Sequence, residues 1–245
     1  MNTPKIAAVT VAALACGCSF VNATTILFQD DFAGYILDSA KWSVELAYGA
    51  SVVQNNGSII LNHPLPSKAI LTAAVSLDIP FAVESSFTLE NHGIFALATR
   101  ASGEVNPLSY YDPYGLQFVF YDVGPFVPQQ RLDLIAFAPG GGYVIDTLPI
   151  SFDINSENTY TITDKGSSVS IILNGVFLGD FPVDPGFSVG NHVVLSDGGK
   201  WDASGAESST LGPITITAIP EPGSMIAIGC FLASALTIRK RQRAI

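Results

Sequence analysis

The chain has 245 residues, enough for one β-rich domain or two small ones, and a formal net charge of −10. A surface of that sign repels phosphate backbones and excludes nucleic acid as a partner. All three cysteines, Cys16, Cys18 and Cys230, lie in the two apolar end segments, so the body between them has neither a disulfide nor thiol chemistry.

Met1–Ala23 carries one early cation, Lys5, then an uncharged run from Ile6 to Cys18, and ends in Val21-Asn22-Ala23. Small or neutral residues at the −3 and −1 positions suit a signal peptidase, so a signal peptide over 1–23 is expected, cut after Ala23. A buried N-terminal helix is the alternative. Lipidation of Cys16 or Cys18 is a lesser one, since neither follows a good Leu-small-small run. The stretch from Thr24 to Ile219 then holds twenty acidic residues against six basic ones, a net charge of −14 with histidine neutral. That charge suits divalent cations or neutral glycans better than polyanions. A domain of this size buries about 70% of its surface and needs no cross-link.

Along the body, period-two alternation recurs and helical periodicity does not. SIILN and KAILTAAVSL read as strands. In Phe81–Glu90, Phe81, Val83, Ser85, Phe87 and Leu89 share one face while Glu84 and Glu90 share the other, the pattern of a half-buried strand. GIFALATR follows, then GLQFVFYD and RLDLIAF, which carry apolar residues on both faces as central strands do. NTYTIT precedes SVSIIL-NG-VFLG, where Asn174-Gly175 between apolar runs predicts a two-residue hairpin. NHVVLS and PITITAI close the set. Many short strands punctuated by glycine and proline, without helices, predict a two-sheet sandwich as one domain over 24–219.

The opening of this domain, Phe28-Gln-Asp-Asp-Phe32, then Leu37-Asp38 and Lys41-Trp42, resembles that of concanavalin A-like jelly-roll domains, the LamG and laminarinase types among them. Thr159-Tyr160-Thr-Ile162, the Asn174-Gly175 hairpin and Leu195-Ser-Asp-Gly-Gly are similar to the same family. The resemblance implies an antiparallel jelly-roll sandwich whose ligands sit on the concave sheet or at its loop edge. The aromatic side chains at the start are expected to pin the first strand and turn onto the sandwich.

Laminarinase-like enzymes place their carboxylates on one strand face as Glu-x-Asp-x-x-Glu, within the separation of about 5–5.5 Å that a retaining glycosidase uses. No stretch here has that spacing. Glu84 and Glu90 share a face but stand about 20 Å apart along a strand. His63, His92 and His192 are scattered, and neither a Ser/His/Asp arrangement nor clustered zinc ligands occur. No catalytic residue and no organic cofactor are therefore expected. Calcium needs only loop oxygens and stays open as a structural ion on Asp30, Asp31 and Asp197, with Asp202 beside them. The final strand carries no aspartate where jelly-roll relatives place one. For glycan contact, Tyr110, Asp112 and Tyr114 in one loop, and Trp201 and Asp202 in another, combine ring faces with polar groups. The alternative is that these aromatics cover the rim of the sandwich.

The chain closes with Pro220-Glu221-Pro222, an uncharged apolar run from Ser224 to Ile238, and Arg239, Lys240, Arg241 and Arg243. As a helix, the fifteen apolar residues span about 22 Å against a hydrocarbon core of about 30 Å. Extension toward Pro222 or snorkelling of Arg239 brings the segment within reach of a thin bilayer. The basic cluster marks the cytoplasmic side, and the two prolines keep the preceding chain extended. These three parts in order resemble the PEP-CTERM sorting domain of Gram-negative bacteria, here over 220–245. The resemblance implies exosortase as a partner, with Pro220, Glu221 and Pro222 recognised, the transmembrane sorting helix removed, and the product moved to the cell surface or an extracellular polysaccharide matrix. An uncut membrane anchor is the alternative.

The reading is an exported, non-enzymatic β-sandwich that passes through the inner membrane and contacts extracellular polysaccharide. The alternatives are a glycoside hydrolase or lyase of the same fold with an unrecognised site, and a structural matrix protein.

Overall fold

The computed structural model describes residues 25–47, 49–63, 68–78, 80–90, 94–103, 113–122, 129–198 and 207–220. The signal peptide, the sorting segment beyond Pro220, Tyr110, Asp112, Trp201 and Asp202 lie outside them. Among the described residues every regular element is a strand. In chain order these are β1 (Thr25–Asp30), β2 (Trp42–Leu46), β3 (Ser51–Gln54), β4 (Ile59–His63), β5 (Lys68–Ala73) and β6 (Phe81–Glu90). Then come β7 (Ile94–Ala101), β8 (Gly115–Tyr121), β9 (Arg131–Ala138), β10 (Gly141–Pro149) and β11 (Asn158–Asp164). Last are β12 (Ser168–Leu173), β13 (Val176–Pro182), β14 (His192–Gly198), β15 (Glu207–Leu211) and β16 (Ile214–Ala218).

They form two antiparallel sheets. One has nine strands in the order β13-β12-β11-β6-β15-β4-β3, with β16 also on β6 and β1 on β16. The other has seven, ordered β10-β9-β8-β7-β14-β5-β2. Between them lies one apolar core, so the fold is the expected jelly-roll sandwich. The seven-stranded sheet contributes a ladder of directly opposed side chains, Leu71, Leu195, Leu97, Phe118 and Leu134, all buried. From the other sheet, Phe81, Val83, Phe87 and Leu89 of β6 are buried as their alternation predicts, while Ser85 is half-buried.

The start of the domain is pinned by aromatic rings as expected. The Trp42 ring meets Phe28 edge-on at 5.2 Å and Phe32 at 5.8 Å. The indole N–H donates to Asp30 Oδ2 at 2.6 Å, and the other oxygen of that carboxylate accepts the Phe32 amide at 3.0 Å. The predicted hairpin is present too. Asn174 (φ 50°) and Gly175 (φ 75°) both sit in the left-handed region, where Asn-Gly is the favoured pair and the turn's twist matches that of the strands. The Asn174 side chain also accepts the Thr159 amide at 2.9 Å.

Four strands escape the sequence reading: the short β2 and β3, and β10 and β15, the last two for different reasons. β10 follows the Pro139–Gly142 stretch, which reads as a turn, and as an edge strand exposed on both faces it shows no alternation. β15 is the polar run Glu-Ser-Ser-Thr-Leu, yet it pairs with β4 on one side and β6 on the other. Only its position between two strands makes it extended.

Candidate functional site: the outer face of the seven-stranded sheet

Residues one step along from the core ladder point away from the core. The pairing register aligns Thr72, Val194, Ala98, Gln117 and Ile135 in one row across this outer face. The next row holds Ile70, Ser196, Ala96, Val119 and Asp133, and Thr147 of β10 continues it. The centre of this face is closed: Ile70, Ala98 and Val194 have no exposed surface and, with Ala101, form a second buried apolar cluster, so the accessible groups lie at the β8–β10 margin.

The polar groups concentrate on β8, β9 and β10. Asp133 is buried, with one carboxylate oxygen 3.0 Å from Arg131 Nη2 and the other accepting the Thr147 hydroxyl at 2.9 Å. The Arg131 guanidinium lies over the Tyr121 ring, its carbon 4.7 Å from the ring centre. Tyr121 and Arg131 are cross-strand partners, so the cation–π contact follows from register. At the other end of β9, Phe137 stacks on Tyr114 with centroids 6.0 Å apart and planes 22° from parallel. His192 opens β14 on this face, packed so closely against Gly103 that a Cβ there would come within 2.6 Å of Nε2.

Of the ligand-contacting residues read from the sequence, Tyr114 alone is described, and it is half-buried against Phe137. The chain reaches the Tyr110–Asp112 stretch from the Ala101 end of β7, and the Trp201–Asp202 stretch from Gly198 at the end of β14. By register these two points stand at opposite ends of the same face. Arg131, Asp133, Tyr121, Thr147 and His192 were missed as a group. The alternation of RLDLIAF puts Arg131, Asp133 and Phe137 on one face, but Tyr121 and Thr147 join them only through pairing.

The proposed calcium ligands are placed as follows. Asp30 has both carboxylate oxygens engaged by Phe32 and Trp42, with Lys41 Nζ at 3.4 Å. Asp31 is exposed and accepts the Ala33 amide at 3.1 Å. Asp197 is buried in β14 of the other sheet, opposite Ala69 and Phe95. Among the described residues no three His, Cys, Asp or Glu side chains gather in a metal-binding group. Pro220 is exposed, just beyond Ile219, whose amide donates to Pro80 O at 3.1 Å.

A cavity of about 230 Å³ opens elsewhere, lined by Leu77, Phe81, Arg100 and Asn191 among others. Arg100 is no anion site there. Nε and Nη2 engage Asp164 at 2.8 and 2.6 Å, and Nη1 and Nη2 also donate to the carbonyls of Asp184, Phe187 and Gly166.

No protein-family model matches the chain, and no curated protein matches its sequence. Solved structures do match. An endo-acting O-glycanase structure from work on mucin breakdown by the human gut microbiota aligns with a TM-score of 0.59 at 13% identity, over 80% of this chain and 100% of that one. The catalytic domain of an endo-1,3-β-glucanase (laminarinase) from Thermotoga petrophila gives 0.56 at 12%, over 81% and 99%. A protein of unknown function with a galectin-like fold from Bacillus subtilis gives 0.60 at 11%, over 79% and 96%. The expectation of a non-enzymatic protein is corrected by this set, in which glycoside hydrolase domains match along their whole length. That expectation rested on the lack of a single-strand carboxylate motif. A sheet also brings polar groups together across strands distant in sequence, as it does for Tyr121, Arg131, Asp133 and Thr147. At 10–13% identity, what these likenesses establish for this chain is its fold, a concanavalin A-like all-β sandwich.

Proposed function

We propose that this chain is a carbohydrate-active domain, a glycoside hydrolase of the concanavalin A-like fold, with its saccharide at the β8–β10 margin of the outer face of the seven-stranded sheet. The observation that supports it is the full-length fit to hydrolase catalytic domains, joined to the polar side chains that Tyr121, Arg131, Asp133 and Thr147 gather along β8, β9 and β10. Glycoside hydrolysis needs one carboxylic acid to protonate the leaving oxygen and a second carboxylate as nucleophile or base. Asp133, held in place by Arg131 and Thr147, takes the second role. Glu45 cannot be the acid. It lies on the same face at the far edge, five strands away, or about 24 Å.

Reducing-sugar release from laminarin and mucin O-glycans by the exported protein tests this. The Asp133→Asn variant is expected to lose at least about 100-fold in rate. An unchanged rate in that variant, or no release from any substrate, sinks the assignment. A second reading is saccharide binding without hydrolysis, favoured by the absence of carboxylates from the neighbouring strands β7 and β8. It predicts retention on immobilised glycan without release of sugar.

We also propose that the protein is exported and handed to an exosortase through 220–245. The order Pro-Glu-Pro, apolar run and basic cluster supports this. Truncation after Ile219 is expected to leave the protein secreted but no longer retained at the cell surface. Fractionation with unchanged location and mass relative to the mature wild type would refute it.

A further inference from the structure

We infer that the open seam between β10 and β13 is the surface on which two copies of this chain pair about a two-fold axis. The inference stands apart from the saccharide assignment and uses other residues.

The two strands border the same side of the sandwich. Phe87 of β6 meets Phe95 of β7 at 5.3 Å, and Tyr160 of β11 meets Phe120 of β8 at 5.9 Å, so β6 lies over β7 and β11 over β8. Two strands further on, where each sheet ends, β13 lies over β10. Register tells which side chains face the seam. Tyr143 is opposite the buried Ala136, and Val176 opposite the buried Leu173, which turns both toward the space between the sheets. A core-facing apolar side chain is normally covered, yet these two keep 54% and 61% of their surface open. Val144 and Phe177 beside them keep 56% and 60%. Ile145, Leu148 and Leu178 pack on the core from this side and are only partly covered.

The size suits a protein partner. The four exposed side chains offer roughly 400 Å² of apolar surface, the scale at which a patch marks an interaction site. A wall about 30 Å long and, flanks included, about 20 Å wide provides roughly the 800 Å² per partner of a standard interface.

The layout fits a second copy. Tyr160 is aligned with Leu173 and Val176, and Phe120 with Leu132 and Leu148, so the Tyr160–Phe120 contact puts Val176 level with Leu148. Tyr143 is five residues from Leu148 along β10. The two exposed pairs therefore stand at opposite ends of the seam, about 15 Å apart along it. A two-fold axis passing between them lays Tyr143 and Val144 of each copy on Val176 and Phe177 of the other, the self-complementary arrangement of an isologous dimer. Charge agrees. The body is strongly acidic, but β10 and β13 bring only Asp146 and Asp180, and Asp180 is paired with Lys165 at 2.9 Å. Two like-charged copies repel least where these walls meet.

The test uses the exported protein. Sedimentation velocity up to about 100 µM is expected to show a monomer–dimer equilibrium. Val144→Lys and Phe177→Lys place a charge in the contact and should each weaken it at least about tenfold. Ile36→Lys, at a residue 86% exposed in the β1–β2 connection, should leave it unchanged. The body holds no cysteine, so introduced thiols report the pairing. Tyr143→Cys combined with Val176→Cys should give a disulfide-linked dimer above the wild-type background, and neither single substitution should, because each residue meets the other kind across the axis. Within one copy the two positions are too far apart to bridge. A wild type that stays monomeric at about 100 µM overturns the inference. So does a dimer that survives both lysine variants, a double-cysteine variant that fails to link, or single cysteines that link as readily as the pair.

Discussion

Replacing Arg100 by methionine is expected to destabilise the protein by about 3–5 kcal/mol, the usual cost of breaking a buried ion pair by removing one partner. Arg100 belongs to β7 of the seven-stranded sheet, whereas Asp164 ends β11 of the nine-stranded one, so their two-point contact ties the layers together. Both side chains are essentially inaccessible, at 1% and 0% exposure, and solvent does not screen the pair. The same guanidinium closes the Asp164–Gly166 turn through Gly166 O and the Asp184–Phe187 turn through both of its end carbonyls. Its own backbone is strained, with φ at +51°, and its carbonyl accepts the amides of Val189 and Gly190. A non-glycine residue holds such a conformation only where its surroundings over-determine it.

In a domain of nearly 200 residues that loss lowers the unfolding midpoint by about 6–20 °C. Thermal unfolding followed by circular dichroism measures it. Asp164→Ala should cost about as much, because it strands the guanidinium. The double variant Arg100→Met with Asp164→Leu should recover part of the loss, since apolar replacement of a buried pair is often near neutral. Recovery stays incomplete, as the carbonyls of Gly166, Asp184 and Phe187 lose their donor. A midpoint shift under about 2 °C in Arg100→Met would show that the sheets are held without this contact.

Phe87→Ala is the second large effect, again about 3–5 kcal/mol. Phe87 sits on β6 with no exposed surface. Its ring centre lies 4.8 Å from Phe120, 5.3 Å from Phe95, 5.5 Å from Phe152 and 6.1 Å from Tyr160. Phe95 and Phe120 come from the opposite sheet and Tyr160 from the neighbouring strand, so the ring is the hub where both layers meet. Truncation leaves a cavity between sheets already fixed by their hydrogen-bonded ladders, which limits how far they can close around it. Phe87→Leu keeps most of the volume and should cost clearly less. Urea denaturation of both variants orders the two losses, and equal midpoints for wild type and Phe87→Ala would remove the ring from that central role.

How legible the site was follows from the range of the contacts that make it. The face of β9 that bears Arg131 and Asp133 can be read from alternation within eight residues. The Tyr121 ring arrives from β8 and the Thr147 hydroxyl from β10, across a connection that includes a glycine-rich turn. A bulge between Val144 and Asp146 then sets which β10 residue meets Asp133. One residue of slip would exchange the faces, and nothing local in Gly141–Pro149 specifies against it. Tyr114 was singled out as an exposed ring, yet its partner Phe137 is supplied by β9.

The amino-acid sequence by itself determined the local geometry: alternation set the strands, Asn174-Gly175 set a hairpin, and the Phe28, Phe32 and Trp42 rings set the opening turn. Each of these depends on residues close in the chain or on a two-residue period, which is written in order. Tertiary structure decided that polar β15 pairs between β4 and β6, that Arg100 of one sheet meets Asp164 of the other, and that Tyr121, Arg131, Asp133 and Thr147 share a surface. The physical reason is that hydrogen-bonded register and burial between sheets are properties of pairs of strands, and no single strand carries the information about which partner it will face.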